Sequence, residues 1–222
     1  MATRARRAER RSDALSRERI VEAAIEILDT EGESALTFRA LAARLATGAG
    51  AIYWHVANKD ELLATATDDV ITRVVDRVPG GRGPVETIRA HALGVFDAID
   101  AHPWVGTQLS REPWQPALVQ IFEGVGAPLE ALGVPERARF DAASALLNYI
   151  LGLAAQHAAA TRLSGQVDRA AFLTTIAAQW AQLDSAKYPF VHEMMAQLPG
   201  HDDREQFLAG IDLILAGIAA AR

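Results

Sequence analysis

Side chains that can hold a polyanion are concentrated between residues 37 and 59 of the chain. Thr37 is typical of a helix N-cap, and Leu41 and Leu45 share one face of a predicted short helix. Hydroxyl, guanidinium, imidazole and ammonium groups all occur within this stretch. Because such groups donate hydrogen bonds to phosphate oxygens and to base edges, the chemistry indicated is recognition of nucleic acid.

A turn of small residues at 46–50 separates this helix from a second one that is predicted to carry residues 51–55. Ile52 can turn inward, whereas Tyr53 and His55 point outward. Two short helices joined by a glycine-containing turn are typical of a helix-turn-helix, whose second helix enters the major groove of DNA. The small residues suit a close approach of backbone to backbone, or of backbone to phosphate.

Residues 36–42 and 51–63 resemble the DNA-binding domain of the TetR repressor family. The run Tyr53-Trp-His-Val-Ala-Asn-Lys59 is similar to the tetracycline repressor branch in particular, and residues 17–32 fit the first helix of that family. The resemblance covers residues 16–77. Residues 207–218 also resemble the end of the tetracycline-repressor-type regulatory domain, and the loop at 188–190 resembles it more loosely.

The resemblance implies roles for individual side chains. Thr37 and Tyr53 would bind phosphate, His55 and Lys59 would contact the DNA backbone or a groove edge, and Arg39 is the candidate for a bidentate guanine contact. Trp54 would contact DNA or pack beneath the recognition helix, and a capping or packing role is open for His55. The predicted DNA-binding residues are Thr37, Arg39, Ala49, Gly50, Tyr53, Trp54, His55 and Lys59.

Small side chains occupy positions where larger side chains could contact base edges. Ala49, Gly50 and Ala51 lie at the start of the second helix, where they reach few base edges. Backbone positioning and DNA shape would then carry more of the specificity, so the operator sequence cannot be deduced.

The composition favours an all-helical protein. The chain has 222 residues, of which 50% are hydrophobic, and it shows no sustained strand alternation. It contains no cysteine, which excludes disulfides and thiolate metal sites. No apolar run reaches the roughly 18 residues of a membrane span, and the Arg-rich N-terminus lacks the apolar core of a signal peptide. We therefore expect a soluble cytoplasmic protein without membrane contact.

The net charge of −6 is unevenly distributed. Residues 1–62 contain ten Lys or Arg and ten Asp or Glu, so the acidic excess belongs to the remainder. Residues 1–15 are rich in arginine and are expected to form a flexible basic arm. This arm is either a solvated tail or a segment that follows phosphates or enters a minor groove.

The expected fold class is all-α, with a three-helix DNA-binding domain of helix-turn-helix type followed by a helical ligand-binding and dimerisation domain. The DNA-binding domain with its connecting helix would span residues 16–78, a linker rich in proline and glycine residues 79–84, and the second domain residues 85–222. One helix is predicted over residues 115–132, another over 168–183, and a short turn near 191–197.

The second domain is expected to hold an effector pocket and a dimer face. Pockets combine apolar walls with a few polar groups, although each candidate taken singly is also compatible with a core or surface position. The pocket candidates are Phe96, His102, Trp104, Trp114, Phe122, Asn148, Gln156, His157 and Trp180. The dimer face is predicted to use apolar positions of the long helix and the last helix, which are equally compatible with intramolecular core: Ala143, Leu147, Ile150, Ala154, Phe207, Ile211 and Leu215.

His102 falls near the place of a histidine that, in the tetracycline repressor, binds drug-chelated magnesium. No second metal-binding histidine or acid is matched, so no metal, cofactor or tetracycline is predicted.

The function indicated is a dimeric, ligand-responsive transcriptional regulator, a repressor released from a palindromic operator by a small-molecule effector. Its partners would be double-stranded DNA, a second copy of the chain and an apolar or aromatic small molecule. An enzyme is disfavoured, because no nucleophile elbow, phosphate loop or metalloprotease motif occurs. The remaining alternative is a helical interaction module that no longer binds DNA.

Overall fold

A computed structural model describes residues 15–111, 115–164 and 169–220, without the side chains of Ala154 and residues 157–164. The residues it describes form helices and connecting turns. The predicted basic arm, apart from its last residue, and Trp114 lie outside the described residues. The helices are Arg17–Thr30 (α1), Phe38–Arg44 (α2), Ala49–Tyr53 (α3), Lys59–Arg77 (α4), Pro84–Ala101 (α5), Pro103–Arg111 (α6), Pro116–Gly126 (α7), Pro128–Ala131 (α8), Glu136–Ser164 (α9), Arg169–Trp180 (α10), Pro189–Met194 (α11) and Asp203–Ala220 (α12), with a 3-10 helix at Met195–Gly200.

Helix α1 begins and ends at residues that the sequence marks. The Ser16 side chain accepts a hydrogen bond from the backbone N–H of Arg19 at 3.3 Å, which makes it the N-cap. Gly32, directly after the last turn, has φ +80°, a conformation that glycine adopts without a Cβ clash. Between these ends, residues such as Ile20, Ala24 and Ile27 are buried and face α4.

Helix α4 joins the two halves of the molecule. Asn58 caps it by accepting from the Glu61 N–H at 2.8 Å, and the Glu61 carboxylate accepts from the Ala57 N–H at 2.8 Å. This reciprocal arrangement resembles a capping box and fixes where α4 begins. Helix α4 packs on α1 at one side and on α5 and α7 at the other, so one continuous core runs through both halves.

The second half is built around α5, α9 and α12. The Phe207 ring is fully buried and stacks on Phe96 with ring centroids 4.8 Å apart and on Tyr149 at 5.7 Å. Gly210 lies directly against the Tyr149 ring, and a Cβ there would overlap the phenol. The glycine therefore allows α12 to approach α9 closely enough to bury Phe207 and Ile211.

The all-helical expectation is confirmed, but several helix boundaries differ from prediction. The helix expected over residues 115–132 is two helices, because Pro128 lacks an N–H for the preceding turn and becomes the first residue of α8. Helix α10 ends at Trp180, and the turn expected near 191–197 is α11 followed by the 3-10 helix.

Within the described ranges, none of the helices is both long enough and apolar enough to cross a bilayer.

Candidate DNA-binding surface and ligand cavities

Helices α2 and α3 form the predicted helix-turn-helix. The Thr37 hydroxyl accepts from the Ala40 N–H at 3.1 Å and so caps α2. At the corner, Ala46 adopts φ +49°, and the Thr47 N–H bonds to the Ala42 carbonyl at 2.9 Å, which closes the helix end. Ile52, with no exposed surface, anchors α3 to the core.

The Tyr53 ring packs α3 against the start of α2, and both Tyr53 and Trp54 are exposed to solvent. The Tyr53 ring stacks on Phe38 with centroids 4.3 Å apart and planes 3° from parallel, yet Tyr53 remains 55% exposed. Trp54 is 90% exposed, which excludes the alternative that it packs beneath the recognition helix. A tryptophan so exposed has no role in the core of a single chain, and its predicted DNA contact stays a prediction.

The other predicted DNA-binding residues surround this aromatic pair. Thr37, Arg39 and Gly50 are exposed, whereas Ala49 and His55 are half-buried. No hydrogen bond or ion pair holds Arg39 among the residues that the structure describes, so its guanidinium can reach outward. Their individual DNA contacts remain predictions.

Lys59 has a partner within the protein. Its half-buried ammonium donates to the carbonyl oxygen of Glu33 at 2.7 Å, which ties the start of α4 to the loop between α1 and α2. The ammonium keeps two further donors, so its predicted DNA contact remains a prediction.

A polar cluster that sequence reasoning missed joins the DNA-binding half to α6. Asp29 at the end of α1 lies 2.8 Å from His102 Nδ1 and accepts from Trp104 Nε1 at 2.7 Å. Glu33 accepts from Arg111 at 2.8 Å and from Gln108 at 3.3 Å. We call these six side chains the α1–α6 cluster. No local signal reveals it, because the partners lie more than seventy positions apart in sequence.

The cluster corrects one predicted pocket residue. Trp104 is buried with its indole N–H bonded to Asp29, so it offers no surface to a ligand. His102 also contacts Asp29, but it lines a cleft between α1, α4 and α5, so its pocket role stays a prediction.

Two of the predicted pocket residues come together. Phe96 and Gln156 line a cavity of about 330 Å³ between α5, α9, α10 and α12. The others do not join it: Phe122 packs edge-on to Phe140 with centroids 6.1 Å apart, Asn148 is exposed on α9, and Trp180 ends α10 half-buried. The structure describes only the backbone of His157.

A larger groove lies between α4, α5 and α7, with a volume of about 500 Å³. Its walls are largely apolar, and its polar groups include Thr87, His91, Gln120 and Glu123, none of which was predicted. Burial lowers the pKa of His91, which favours the neutral imidazole. A Cβ on Gly124 would lie 2.8 Å from His91 Nδ1, so the glycine makes room for that ring.

Gln120 connects this groove to α4. Its side-chain amide donates to Asp68 at 2.8 Å and to Thr72 at 3.0 Å, and both partners belong to α4. A molecule that hydrogen-bonds to Gln120 would therefore compete with contacts that position the connecting helix.

The predicted dimer residues are mostly core residues of a single chain. Ile150, Phe207 and Ile211 have no exposed surface, and Ala143 and Leu215 are also buried, so that part of the prediction is wrong. The apolar faces of α9 and α12 pack on their own chain instead, and a side chain without exposed surface cannot reach a second subunit. Leu147 is half-buried, and the side chain of Ala154 is not described.

The structure describes no group of three His, Asp or Glu side chains that could hold a metal ion.

Comparisons with known proteins agree with this arrangement. Residues 20–66 match the family described as bacterial regulatory proteins, tetR family, and residues 85–222 match the tetracyclin repressor-like C-terminal domain. An HTH-type transcriptional regulator of Saccharopolyspora erythraea is 31% identical over 211 residues, which cover 93% of this chain and 85% of the relative.

Solved structures are similar over nearly the whole chain. The transcriptional regulator SCO7222, a TetR from Streptomyces coelicolor, is 53% identical with a TM-score of 0.85, and the match covers 93% of this chain and 99% of that one. The Streptomyces coelicolor TetR family protein ActR, in complex with actinorhodin, is 26% identical with a TM-score of 0.77, over 93% of this chain and 96% of ActR.

The chain belongs to the TetR family of bacterial transcriptional regulators, as its sequence motifs predicted. It is a DNA-binding regulator with a helix-turn-helix and a tetracycline-repressor-like C-terminal domain. These relatives are regulators of transcription rather than enzymes.

The Asp29–Trp104 hydrogen bond is expected to couple the two halves energetically. In a double-mutant cycle, Asp29→Ala and Trp104→Phe should show a coupling of about 1 kcal/mol in the free energy of unfolding by urea. The control cycle pairs Trp104→Phe with Glu205→Ala, an exposed acid on α12, and should show no coupling. Strict additivity of the first pair would contradict this inter-domain contact.

Stability should depend on pH through His91. Burial lowers its pKa below the ordinary value of 6.5, so the unfolded chain takes up this proton at a higher pH than the folded chain does. Stability is therefore lost as the pH falls below about 6.5 toward the folded pKa. Wild-type protein should lose more stability than His91→Gln between about pH 7.5 and about pH 5.5.

Urea-unfolding midpoints of both proteins at the two pH values test this expectation. All other titratable side chains are common to both proteins, so the difference between their stability losses isolates His91. Identical losses in the two proteins would contradict a neutral, buried imidazole.

Proposed function

We propose that this protein is a cytoplasmic repressor that binds a palindromic operator as a homodimer and is released by a small molecule bound in the groove between α4, α5 and α7. The observation that carries this proposal is the double role of α4. The same helix packs on the DNA-binding half and holds the Gln120 contacts at the groove.

The exposed face of the helix-turn-helix supports the DNA contacts. Tyr53 and Trp54 project beside Arg39, while the small residues at the start of α3 let its N-terminal end approach the DNA backbone. The Thr37 hydroxyl accepts a bond within its cap and retains its proton for a phosphate oxygen. Phosphate contacts would fix the register, and Arg39 would read a base edge.

The outer faces of α9 and α12 support a dimer. After the apolar faces are buried internally, α9 leaves Ala145, Asn148 and Gly152 exposed, and α12 leaves Leu213 and Gly217 exposed. These positions recur at helical spacing and are mostly small, so that helices of a second copy can approach closely. Two recognition helices separated by about 34 Å could then read a palindrome on one face of DNA.

The groove suits a largely apolar molecule with few polar groups. Its volume of about 500 Å³ lies in the range of small-molecule sites. Neutral His91 and the Gln120 amide offer hydrogen bonds without a fixed charge, and the exposed carboxylate of Glu123 disfavours an anion, so the groove favours an uncharged or aromatic ligand. The complex of ActR with actinorhodin supports ligand binding by this C-terminal fold.

Release from DNA would follow from competition for Gln120. A ligand that engages Gln120 would weaken the Gln120 bonds to Asp68 and Thr72 and favour another position of α4. The α1–α6 cluster would transmit the same displacement to α1. The ligand shifts the equilibrium only by its differential affinity for the two positions of α4.

Removing the guanidinium of Arg39 tests the DNA-binding surface. Arg39→Ala should weaken binding to a promoter fragment of the protein's own gene by about fivefold or more, because a bidentate base contact contributes about 1–3 kcal/mol. Arg137→Ala, which removes an exposed arginine from α9, serves as the control. Fluorescence anisotropy at fixed salt measures both affinities, and equal affinities for wild type and Arg39→Ala would refute the role of Arg39.

Filling the groove tests the effector site. Val119 is 60% exposed at its edge, and Val119→Trp would occupy the space while leaving the helix-turn-helix intact. Native mass spectrometry of protein purified from its own host should show a retained small molecule on the wild type and none on this variant. The extracted molecule should release wild-type protein from DNA without releasing the variant.

Leu183→Trp, an exposed substitution outside the groove, is the matched control and should retain the molecule. Retention of the molecule by Val119→Trp, or loss of it in both variants, would place the effector elsewhere.

A further inference from the structure

A second cavity lies on the opposite face of α4 from the effector groove. The effector groove lies beside Thr72 and Val75 of α4. The second cavity is lined by Val70, Arg73 and Arg77, which lie about half a turn around the helix from those two residues. Its volume is about 390 Å³, and it opens between α1, α4 and α5, where the two halves of the molecule meet. We call it the junction cleft.

The junction cleft combines an apolar floor with a basic rim. Ile25 from α1, Val70 and Val74 from α4, and Ala98 and Ala101 from α5 supply the floor. Arg73 and Arg77 supply the rim. The two arginines are four positions apart on one helix, so they project from the same face of α4 beside the cleft.

Charges facing the cleft leave a positive excess at this rim. The carboxylate of Asp97 is neutralised by Arg204, whose guanidinium nitrogens lie 3.1 and 3.3 Å from it. Arg73 pairs with Asp69 at 2.6 Å, and the Nδ1 of His102 faces Asp29. Arg77 is exposed at the end of α4, where no ion pair with another described residue holds it.

We infer that the junction cleft binds an amphipathic anion, with one carboxylate or sulfonate group between Arg73 and Arg77 and an apolar body over Ile25, Val74 and Ala98. Guanidinium groups bind such oxyanions through charge-assisted hydrogen bonds. The volume matches that of small-molecule sites. The lining of the groove across α4 includes the carboxylate of Glu123 and no arginine or lysine, so the two cavities would accept different chemical classes.

Because the junction cleft lies between the two halves of the molecule, a ligand bound there would act on both. The bound molecule would touch α1 through Ile25 and α5 through Ala98, so it would bridge the DNA-binding half and the C-terminal half. It would stabilise the packing of α1, α4 and α5 against one another, which provides an input separate from the effector groove.

The test uses 1-anilinonaphthalene-8-sulfonate, an aromatic sulfonate whose fluorescence rises in apolar sites, titrated into the full-length protein. Arg73→Gln/Arg77→Gln should weaken probe binding about tenfold, equal to about 1.4 kcal/mol. Arg17→Gln/Arg137→Gln removes the same number of charges at exposed positions elsewhere and should leave the probe affinity unchanged. Added salt should weaken binding to wild type more than binding to the cleft variant.

Two further variants locate the probe. Ala98→Phe, which projects a ring into the cleft, should abolish binding, and circular dichroism checks that the variant is folded. Val119→Trp, which fills the effector groove, should leave the probe affinity unchanged. Should Ala98→Phe fail to fold, Arg73→Gln/Arg77→Gln and Val119→Trp show whether the probe binds in the junction cleft.

Three outcomes would overturn the inference: no saturable probe binding to wild type, equal weakening by both arginine pairs, or loss of binding in Val119→Trp alone. The last would place the probe in the effector groove and leave the proposed effector site standing.

Discussion

The position of the helix-turn-helix relative to the C-terminal half is the constraint on which the rest of the structure depends. Helix α4 sets this position, because its apolar face is buried against α1 on one side and against α5 and α7 on the other. The α1–α6 cluster adds a second attachment through Asp29 and Glu33. With two attachments, α1 cannot tilt about α4 without breaking charged or neutral hydrogen bonds.

This double attachment bears on how the two proposed ligand sites would act on DNA binding. Both cavities lie against α4, the effector groove on one face and the junction cleft on the other. A ligand in either would change the relative stability of alternative positions of a single packed helix rather than remodel the fold. Since packed helices change position in discrete steps, local contacts at Gln120 or Ile25 would alter the separation of two recognition helices in the proposed dimer.

The features predicted most accurately from sequence are those that depend on residues close together in the chain. The cap at Thr37 and the corner after α2 follow from residues within a few positions, and the structure confirms them. The α1–α6 cluster escaped prediction because no local pattern pairs Asp29 with Trp104. Hydrophobic periodicity also identified the apolar face of α12, but it did not show what that face packs against. Phe207 on this face packs inside its own chain and not against a second subunit.

A distance measurement between the DNA-binding halves of two subunits tests whether α4 and the α1–α6 cluster hold these halves in fixed positions. The chain has no cysteine, so Ala57→Cys, at an exposed position beside α3, gives one spin label per subunit for pulsed electron paramagnetic resonance. We expect one narrow distance distribution without DNA, which broadens when Asp29→Ala and Arg111→Gln are added. Equally broad distributions in both proteins, or no coupling between subunits at any concentration that permits DNA binding, would contradict it.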